Sequence, residues 1–149
     1  MAVAVPLAEM ERLVGWRFPG GRTRIPRWES FLLNDVVCGP ELPEGMVHPA
    51  ACFHAPLAGI GMGYAEIFAL CRAESDDAIR AGEYTFQIRR PLREEVEYWV
   101  EGEIVAVERK RGARIGLFDK VVFELRMLEP GGEVAVVAVN SWLFLRSEP

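Results

Sequence analysis

The second half of the chain alternates apolar and polar residues with a period of two, the pattern of strands that bury one face. Residues 84–89 form the shortest such run, and longer runs lie at 96–109, 116–128 and 134–146. Arg111-Gly112 and Pro130-Gly131-Gly132 separate the three long runs, and such residues are typical of tight turns. The pattern therefore predicts two hairpins within an antiparallel sheet.

Residues 46–71 are apolar apart from two histidines and one glutamate. Proline suits the first turn of a helix but not its interior, so the sequence predicts a long helix that begins near Pro56 and ends near Cys71. Three glycines interrupt this stretch, Gly59, Gly61 and Gly63. Each costs about 1 kcal/mol relative to alanine, so we expect them to permit close approach of the backbone to a sheet or a ligand. A helix that is apolar on nearly every side is expected to be buried on nearly every side.

The remaining segments carry shorter signals. Residues 6–14 have the spacing of a short amphipathic helix, and the glycines and prolines of residues 17–27 indicate a loop. Residues 28–37 fit either a short helix or a strand, and they carry Asn34 and Asp35 into a mainly apolar run. Because a sheet of this size needs a cover for its apolar face, we expect one α+β domain over residues 1–149, with the apolar helix packed on the sheet.

Composition excludes several classes of partner and cofactor. The formal net charge of -5 argues against nucleic-acid and membrane-surface binding, because both partners are polyanionic. No run approaches the roughly 18 apolar residues of a membrane span, and the first residues lack a secretion signal, so we expect a cytoplasmic protein. The three cysteines and two histidines have no metal-ligand spacing. We therefore expect no metal, no other cofactor, and buried cysteines without disulfides.

Four features follow one another along most of the chain. They are the Asp35 region with a Pro/Gly loop leading to Met46-Val47-His48-Pro49, the Arg90-Pro91-Leu92 element, the long hairpin strand at 98–112, and the closing strands that end in Asn140-Ser141-Trp142-Leu143-Phe144-Leu145-Arg146. In this order they resemble the MaoC-like acyl dehydratases. The likeness is to the dehydratase domain that often precedes a MaoC domain.

The resemblance implies a hot-dog fold, in which an antiparallel sheet wraps a long helix, and assembly as a homodimer or as a heterodimer with another hot-dog chain. It implies a substrate carried as a thioester of coenzyme A or of acyl carrier protein. The implied reaction is reversible hydration of a 2-enoyl thioester to a 3-hydroxyacyl thioester. Active members carry an aspartate followed five residues later by a histidine. Here Asp35 matches the aspartate, but Pro40 stands where the histidine is expected.

Hydration needs an acid or base near the substrate, and donors aimed at the thioester oxygen, where negative charge accumulates. Asp35 and His54 are the candidates for the first role, because burial would raise the pKa of the carboxyl and imidazole titrates near neutrality. The backbone from Ala55 through Leu57 to Ala58, at the predicted helix start, is the candidate for the second. Ordinary alternatives remain open, a turn or N-cap for Asp35 and a partly buried histidine for His54.

Three other side chains are candidates for roles near the substrate. His48 matches the region that lines the tunnel mouth in the resembling proteins, although hydrogen bonds within its own loop would also explain it. Arg90 could meet coenzyme A phosphates or an acidic carrier protein, or belong to a solvated surface. Glu66 lies about 15 Å beyond the helix start, too far to share a carbonyl with His54. We expect it to pair with an arginine or to lie at a subunit contact.

These residues lead to three hypotheses. The first is a MaoC-like enoyl-thioester hydratase or 3-hydroxyacyl-thioester dehydratase with a rearranged site at Asp35 and His54. The second is a non-catalytic acyl-thioester-binding subunit that pairs with a separate catalytic MaoC-like chain, which the proline at position 40 would explain. The third is a hot-dog acyl-CoA thioesterase, which the predicted depth of Glu66 in the helix weakens.

Overall fold

Short helices pack against one face of a single antiparallel sheet. The computed structural model describes residues 5–147. Its strands are β1 (Gly21–Arg24), β2 (Ile79–Ile88), β3 (Glu97–Gly112), β4 (Gly116–Leu128) and β5 (Val134–Leu145). Its helices are α1 (Leu7–Glu11), α2 (Arg27–Val36), α3 (Ala55–Gly59) and α4 (Tyr64–Leu70), with 3₁₀ turns at Pro49–Phe53 and Asp76–Ala78. The strand order is β1-β3-β4-β5-β2.

The two predicted hairpins are confirmed, since β4 pairs antiparallel with β3 on one side and with β5 on the other. The prediction of a loop over residues 17–27 is wrong in part. β1 lies within it and pairs with β3, where Gly21 stands opposite Val100. A strand with the sequence Gly-Arg-Thr-Arg has no apolar alternation to reveal it. Its neighbour in the sheet therefore determines its conformation.

The predicted long helix is instead two short ones, because residues 60–63 separate α3 from α4. Gly61 lies in this break with φ 75°, a left-handed conformation that favours glycine. A Cβ atom at Gly61 would collide with the carbonyl oxygen of Gly20, and one at Gly59 would collide with the side chain of Val100. These two glycines therefore permit the close approach to the sheet that the sequence predicted.

The two halves of the predicted helix differ in burial. Ala55 and Leu57 of α3 are buried, and Ile60 immediately after it is fully buried. In α4 the buried residue is Ile67, while Tyr64 is exposed. The expectation of burial on nearly every side is therefore confirmed for most of α3 and is wrong for α4. No helix within residues 5–147 is long and apolar enough to cross a bilayer.

Strands β4 and β5 supply most of the buried face of the sheet. Their buried apolar side chains include Val121, Phe123, Leu125, Met127, Val136, Ala138, Trp142 and Phe144. Trp142 stacks on Tyr64 of α4 with ring centroids 5.7 Å apart and meets Phe68 edge-on at 5.8 Å. These ring contacts attach α4 to the sheet. The predicted α+β architecture, with helix packed on an antiparallel sheet, is confirmed.

The cysteines divide between the core and the surface. Cys52 and Cys71 are buried as expected, whereas Cys38 is exposed just after α2, contrary to expectation. Burial raises the pKa of Cys52 to about 11 and that of Cys71 to about 12. Both buried residues are therefore protonated thiols near neutral pH, and thiols are much weaker nucleophiles than thiolates.

Asp119 of β4 is the centre of a buried ionic network. It accepts hydrogen bonds from Nε of Arg109 and from Nε of Arg146, each at 2.7 Å. Arg109 also donates to the carbonyl of Val5, and Arg146 donates to the carbonyl of Cys71, each at 2.8 Å. The network therefore joins the amino-terminal segment and the end of α4 to the sheet. Burial raises the pKa of Asp119, but the hydrogen bonds and charges of both arginines outweigh burial and hold it below its usual value.

Replacing Asp119 is expected to destabilise the fold strongly. Asp119→Asn leaves the buried guanidinium of Arg146 without its counter-charge, and we expect a loss of about 3–5 kcal/mol in the free energy of unfolding, measured by urea titration. Glu101→Gln, in an exposed pair with Arg126, is the matched control and should cost less than about 1 kcal/mol. A loss no greater than that of the control would contradict a structural role for the network.

The same carboxyl predicts a pH dependence of stability. Because the pKa of Asp119 is lowered in the folded state, its stabilising contribution is present above its unfolded pKa of about 4 and is lost as the pH falls through the folded pKa. The wild type should therefore lose more stability between about pH 5 and pH 2 than Asp119→Asn does. Parallel stability curves for the two proteins would show that another group is responsible.

Candidate functional site

A mainly apolar pocket lies where α3 meets α4. Its volume is about 310 Å³, and it is lined by His54, Leu57, Ala58, Met62, Gly63, Tyr64 and Ile67. Two of these residues, Met62 and Gly63, belong to the break between the helices, so the pocket is a consequence of that break. His54 supplies the imidazole of the lining.

His54 forms a pair with a carboxylate that no sequence pattern indicated. Its Nε2 lies 3.2 Å from Oε1 of Glu29, which is in the first turn of α2. The His54 side chain is 43% exposed and that of Glu29 is 35% exposed, so both are partly shielded from water. The backbone of His54 is held on both sides, since its N–H donates to Ala51 and its carbonyl accepts from the N–H of Ala58. The imidazole is therefore attached to a well-defined backbone.

Asp35 does not join His54. It lies in the last turn of α2, six residues after Glu29, which is about 9 Å farther along the helix axis. Among residues 5–147 no hydrogen bond or ion pair connects Asp35 with His54. Asp35 is exposed, and its neighbours Phe31 and Val36 are exposed as well. The burial that the predicted role of Asp35 required is therefore absent, because the apolar face of α2 points outward.

His48 has the structural role that the sequence left open as an alternative. Its Nδ1 accepts a hydrogen bond from the N–H of Ala50 at 3.1 Å, which caps the 3₁₀ turn Pro49–Phe53. His48 does not line the pocket that contains His54. The 3₁₀ turn Pro49–Phe53 lies between the two histidines, so His48 caps that turn while His54 lines the pocket.

The start of α3 contributes to the pocket less than expected. Leu57 and Ala58 line it, but Ala55 is buried and lies outside the lining. α3 has five residues, and Pro56 has no N–H, so the helix dipole and the set of free donors are both small. The N–H of Leu57 makes no hydrogen bond to another element of the described chain. This amide is therefore an available donor beside His54.

Arg90 lies away from the pocket and is already paired. It is exposed after the end of β2 and forms ion pairs with Glu129 at 3.2 Å and with Glu133. The Arg90-Pro91-Leu92 element has a structural function, since Leu92 is buried and its carbonyl accepts a hydrogen bond from the N–H of Val47 at 2.8 Å. Nothing in this arrangement directs Arg90 toward the pocket beside His54.

Glu66 caps the helix that contains it. Its Oε2 accepts a hydrogen bond from the N–H of Gly63 at 2.7 Å, at the start of α4. An arginine partner or a subunit contact was expected for Glu66, and no arginine bonds to it within the described range. The separation calculated for one continuous helix does not apply, because the helix is broken between His54 and Glu66. Within residues 5–147 no three histidine, cysteine or acidic side chains cluster as metal ligands.

Two further pockets, of about 250 and 450 Å³, lie on the opposite face of the sheet and share Trp99 and Glu101. Their lining is rich in charged residues, several of which form ion pairs, such as Arg22 with Glu97 and Arg126 with Glu101. An acyl chain is apolar, so these pockets suit it less well than the pocket beside His54.

The outward face of α2 is apolar. Trp28, Phe31, Leu32 and Val36 follow one another at helical spacing, and all four are exposed, Phe31 by 68% and Val36 by 79%. The buried residue of α2 is Ser30. Exposed apolar side chains arranged contiguously are typical of a contact surface, because they are costly to leave in water.

Comparison with known proteins identifies the fold. Neither a protein-family model nor a curated protein matches the chain. Among solved structures, the ChsH1–ChsH2 complex from Mycobacterium tuberculosis matches with a TM-score of 0.69 and 13% identity, over 96% of this chain and 91% of that one. The C-terminally truncated HadBC (3R-hydroxyacyl-ACP dehydratase) complex from the same organism matches with a TM-score of 0.60 and 18% identity, over 86% and 93%. A MaoC-like dehydratase matches with a TM-score of 0.62 and 15% identity, over 91% and 43%.

These matches confirm the predicted hot-dog fold and its likeness to the MaoC-like dehydratases. The fold also occurs in a thioesterase from Thermus thermophilus, solved with coenzyme A and Zn, with a TM-score of 0.54 and 16% identity over 86% of this chain and 80% of that one. At such identities the likeness establishes the fold alone. An activity therefore has to be inferred from the residues of this chain.

Proposed function

We propose that the chain is an enoyl-thioester hydratase of MaoC-like type, or a 3-hydroxyacyl-thioester dehydratase in the reverse direction, with His54 as its acid–base group. The observation that carries this proposal is the position of His54 in the lining of a mainly apolar pocket. Such a pocket suits an acyl chain, and an imidazole exchanges protons near neutral pH. The thioester is that of coenzyme A or of acyl carrier protein.

In the hydration direction, His54 accepts a proton from water as the water oxygen bonds to C3 of the enoyl group. The electron pair of the C2=C3 bond moves toward the thioester carbonyl and forms an enolate. The protonated imidazole then returns the proton to C2. One water is added across the double bond and His54 is restored, so the cycle needs no additional oxidant, reductant or cofactor.

The enolate oxygen needs a hydrogen-bond donor while it is negatively charged. The N–H of Leu57 supports this role, because it makes no hydrogen bond to another described element and its residue lines the pocket with His54. Ala58 completes this wall of the pocket, although its own N–H is used by the carbonyl of His54. The N–H of Leu57 is a smaller set of donors than the several free N–H groups that the sequence predicted at the helix start.

A non-catalytic acyl-thioester-binding subunit is the second candidate. Pro40 favours it, because the proline stands where the resembling enzymes have their histidine. Two of the solved neighbours, ChsH1–ChsH2 and HadBC, are complexes. In this alternative the pocket binds the acyl group while a partner chain performs the reaction, and His54 takes no part in proton transfer.

The chain pairs with a second copy of itself through β2 and the outward face of α2. β2 is a ten-residue strand at the edge of the sheet, and an antiparallel edge strand is complementary to itself across a two-fold axis. Phe53, next to His54, packs against Tyr84 of β2 with ring centroids 4.6 Å apart and the rings tilted by 35°. The edge strand therefore contacts the segment that carries His54. A different hot-dog chain is the alternative occupant of this surface.

Removal of the imidazole is expected to abolish most of the activity. The purified chain should hydrate crotonyl-coenzyme A, and the reaction is measured by the loss of the enoyl absorbance. His54→Ala should reduce the rate by at least about a hundredfold. His48→Asn is the matched control, because it replaces the other histidine by a residue that also caps. Its rate should stay within about threefold of the wild type.

Equal rates in His54→Ala and wild type would exclude His54 as the acid–base group. A wild-type chain that binds the thioester without hydrating it, and becomes active when a chain carrying the intact aspartate–histidine motif is added, would favour the non-catalytic subunit. Release of free thiol from acyl-coenzyme A would indicate a thioesterase instead.

Introducing a charge on α2 is expected to dissociate the pair of chains. Phe31→Glu places a carboxylate in the exposed apolar face, and sedimentation equilibrium should show a shift from dimer toward monomer, with at least about a tenfold increase in the dissociation constant. Val105→Glu is the matched control, since Val105 is also exposed but lies on β3, inside the sheet order. A monomeric wild type, or equal dissociation in both variants, would contradict the proposed surface.

A further inference from the structure

We propose that Glu29 is the positioning residue of His54, and that it holds the imidazole with its proton on Nε2 so that Nδ1 is the base. This inference rests on the proposed function and adds to it the carboxylate that the missing contiguous motif would have supplied. The geometry is direct, because Nε2 of His54 and Oε1 of Glu29 are 3.2 Å apart. A carboxylate accepts hydrogen bonds and cannot donate one, so Nε2 must carry a proton in this pair.

The second nitrogen is then the reactive one. A neutral imidazole carries one proton, and with that proton on Nε2 the lone pair is on Nδ1. Nδ1 of His54 has no hydrogen-bond partner within the described part of the chain. His48 provides the contrast, because its Nδ1 is already used as the acceptor for the N–H of Ala50. Of the two histidines, His54 is therefore the one with a free basic nitrogen.

The surroundings of Glu29 favour a positioning role over simple stabilisation of α2. A carboxylate in the first turn stabilises a helix by itself, without any partner. Here, however, the side chain extends to a different element 25 positions away in sequence. Further hydrogen bonds attach α2, among them one from the N–H of Arg27 to Glu95 at 2.8 Å and one from the amide of Asn34 to the carbonyl of Pro40 at 3.1 Å. These fix both ends of the helix and hold Glu29 in place.

The function of such a carboxylate is to select one tautomer and to stabilise the imidazolium when it forms. As Nδ1 takes a proton from water, both nitrogens become donors, and the positive ring remains bonded to the Glu29 carboxylate. The proton then leaves from Nδ1 to C2 of the substrate, and the ring returns to the same tautomer. Glu29 neither gains nor loses a proton in the cycle.

The test compares Glu29→Gln with wild type by two independent measurements. The ¹⁵N chemical shifts of His54, recorded in the neutral state of the ring, should indicate the Nε2–H tautomer in the wild type and a mixture of tautomers in Glu29→Gln. The kcat for crotonyl-coenzyme A hydration should fall about a hundredfold with little change in KM, because the carboxylate contacts the imidazole and not the substrate. Asp35→Asn, which removes the other carboxylate of α2, should leave the tautomer of His54 unchanged.

A third variant separates the charge from the fold. In Glu29→Ala the pair is removed, and added formate should restore part of kcat, since a small carboxylate can occupy the space beside Nε2. A merely structural contribution of Glu29 would not respond to formate. The unfolding transition of each variant is measured in parallel, so that a loss of folded protein is distinguished from a loss of rate.

The outcomes distinguish this inference from the proposed function. Unchanged His54 ¹⁵N shifts in Glu29→Ala, which has no side-chain acceptor for Nε2–H, would overturn the assignment of Glu29, whatever the activity. A tautomer that depends on Glu29 in a chain without hydratase activity would support the positioning of His54 and overturn the proposed reaction. A hundredfold loss in kcat together with the tautomer change supports both.

Discussion

The close approach of two glycines to the sheet is the constraint on which the rest of the structure depends. Gly59 lies against Val100 of β3, and Gly61 lies against the backbone carbonyl of Gly20 just before β1. The N–H of Gly20 in turn donates to the carbonyl of Ile60 at 2.9 Å. A side chain at either glycine would push the helical segment away from the sheet. The backbone can reach this depth only by leaving the helical conformation at Gly61, where φ is positive.

This break determines the arrangement of the candidate site. A continuous helix would have kept its apolar residues on one surface against the sheet. Instead α3 is buried and α4 is turned so that Ile67 is its buried residue, with Trp142 as its main aromatic contact in the sheet. The pocket forms at the junction, and His54 reaches it because a 3₁₀ turn and α3 fix the backbone on either side of that residue. A local backbone feature thus produces both the cavity and the orientation of its imidazole.

The sequence predicted the sheet better than the site, for a physical reason. The alternation in β4 and β5 reports burial directly, and the turns between the long strands contain the residues that tight turns require. β1 was missed because its four residues owe their conformation to pairing with β3. The break in the central helix was missed because glycines were expected to tolerate close packing within a helix, whereas Gly61 ends one.

The site residues show the same division. His54 was predicted from its position before a proline that begins a helix, and the pocket includes it. Glu29 was not, because the signal that connects it to His54 is a contact between two elements and leaves no spacing in the sequence. Asp35 was chosen from its apolar neighbours on the assumption that apolar residues are buried. On α2 they form the outward face instead, and a single-chain pattern cannot distinguish a face buried in the core from one exposed for a partner.

The carboxylate and the imidazole of the Glu29–His54 pair come from two different elements of the fold, and this decides what controls their geometry. Within one short segment, the local backbone sets the distance between carboxylate and imidazole. Here that distance depends on how α2 sits against the segment before α3, and hydrogen bonds attach α2 near its two ends. Leu32 and Val36 follow Glu29 by three and seven residues, so they lie on the same face of the helix. A restraint on those apolar side chains would also restrain the carboxylate, so the outward face of α2 and the imidazole are connected through one helix.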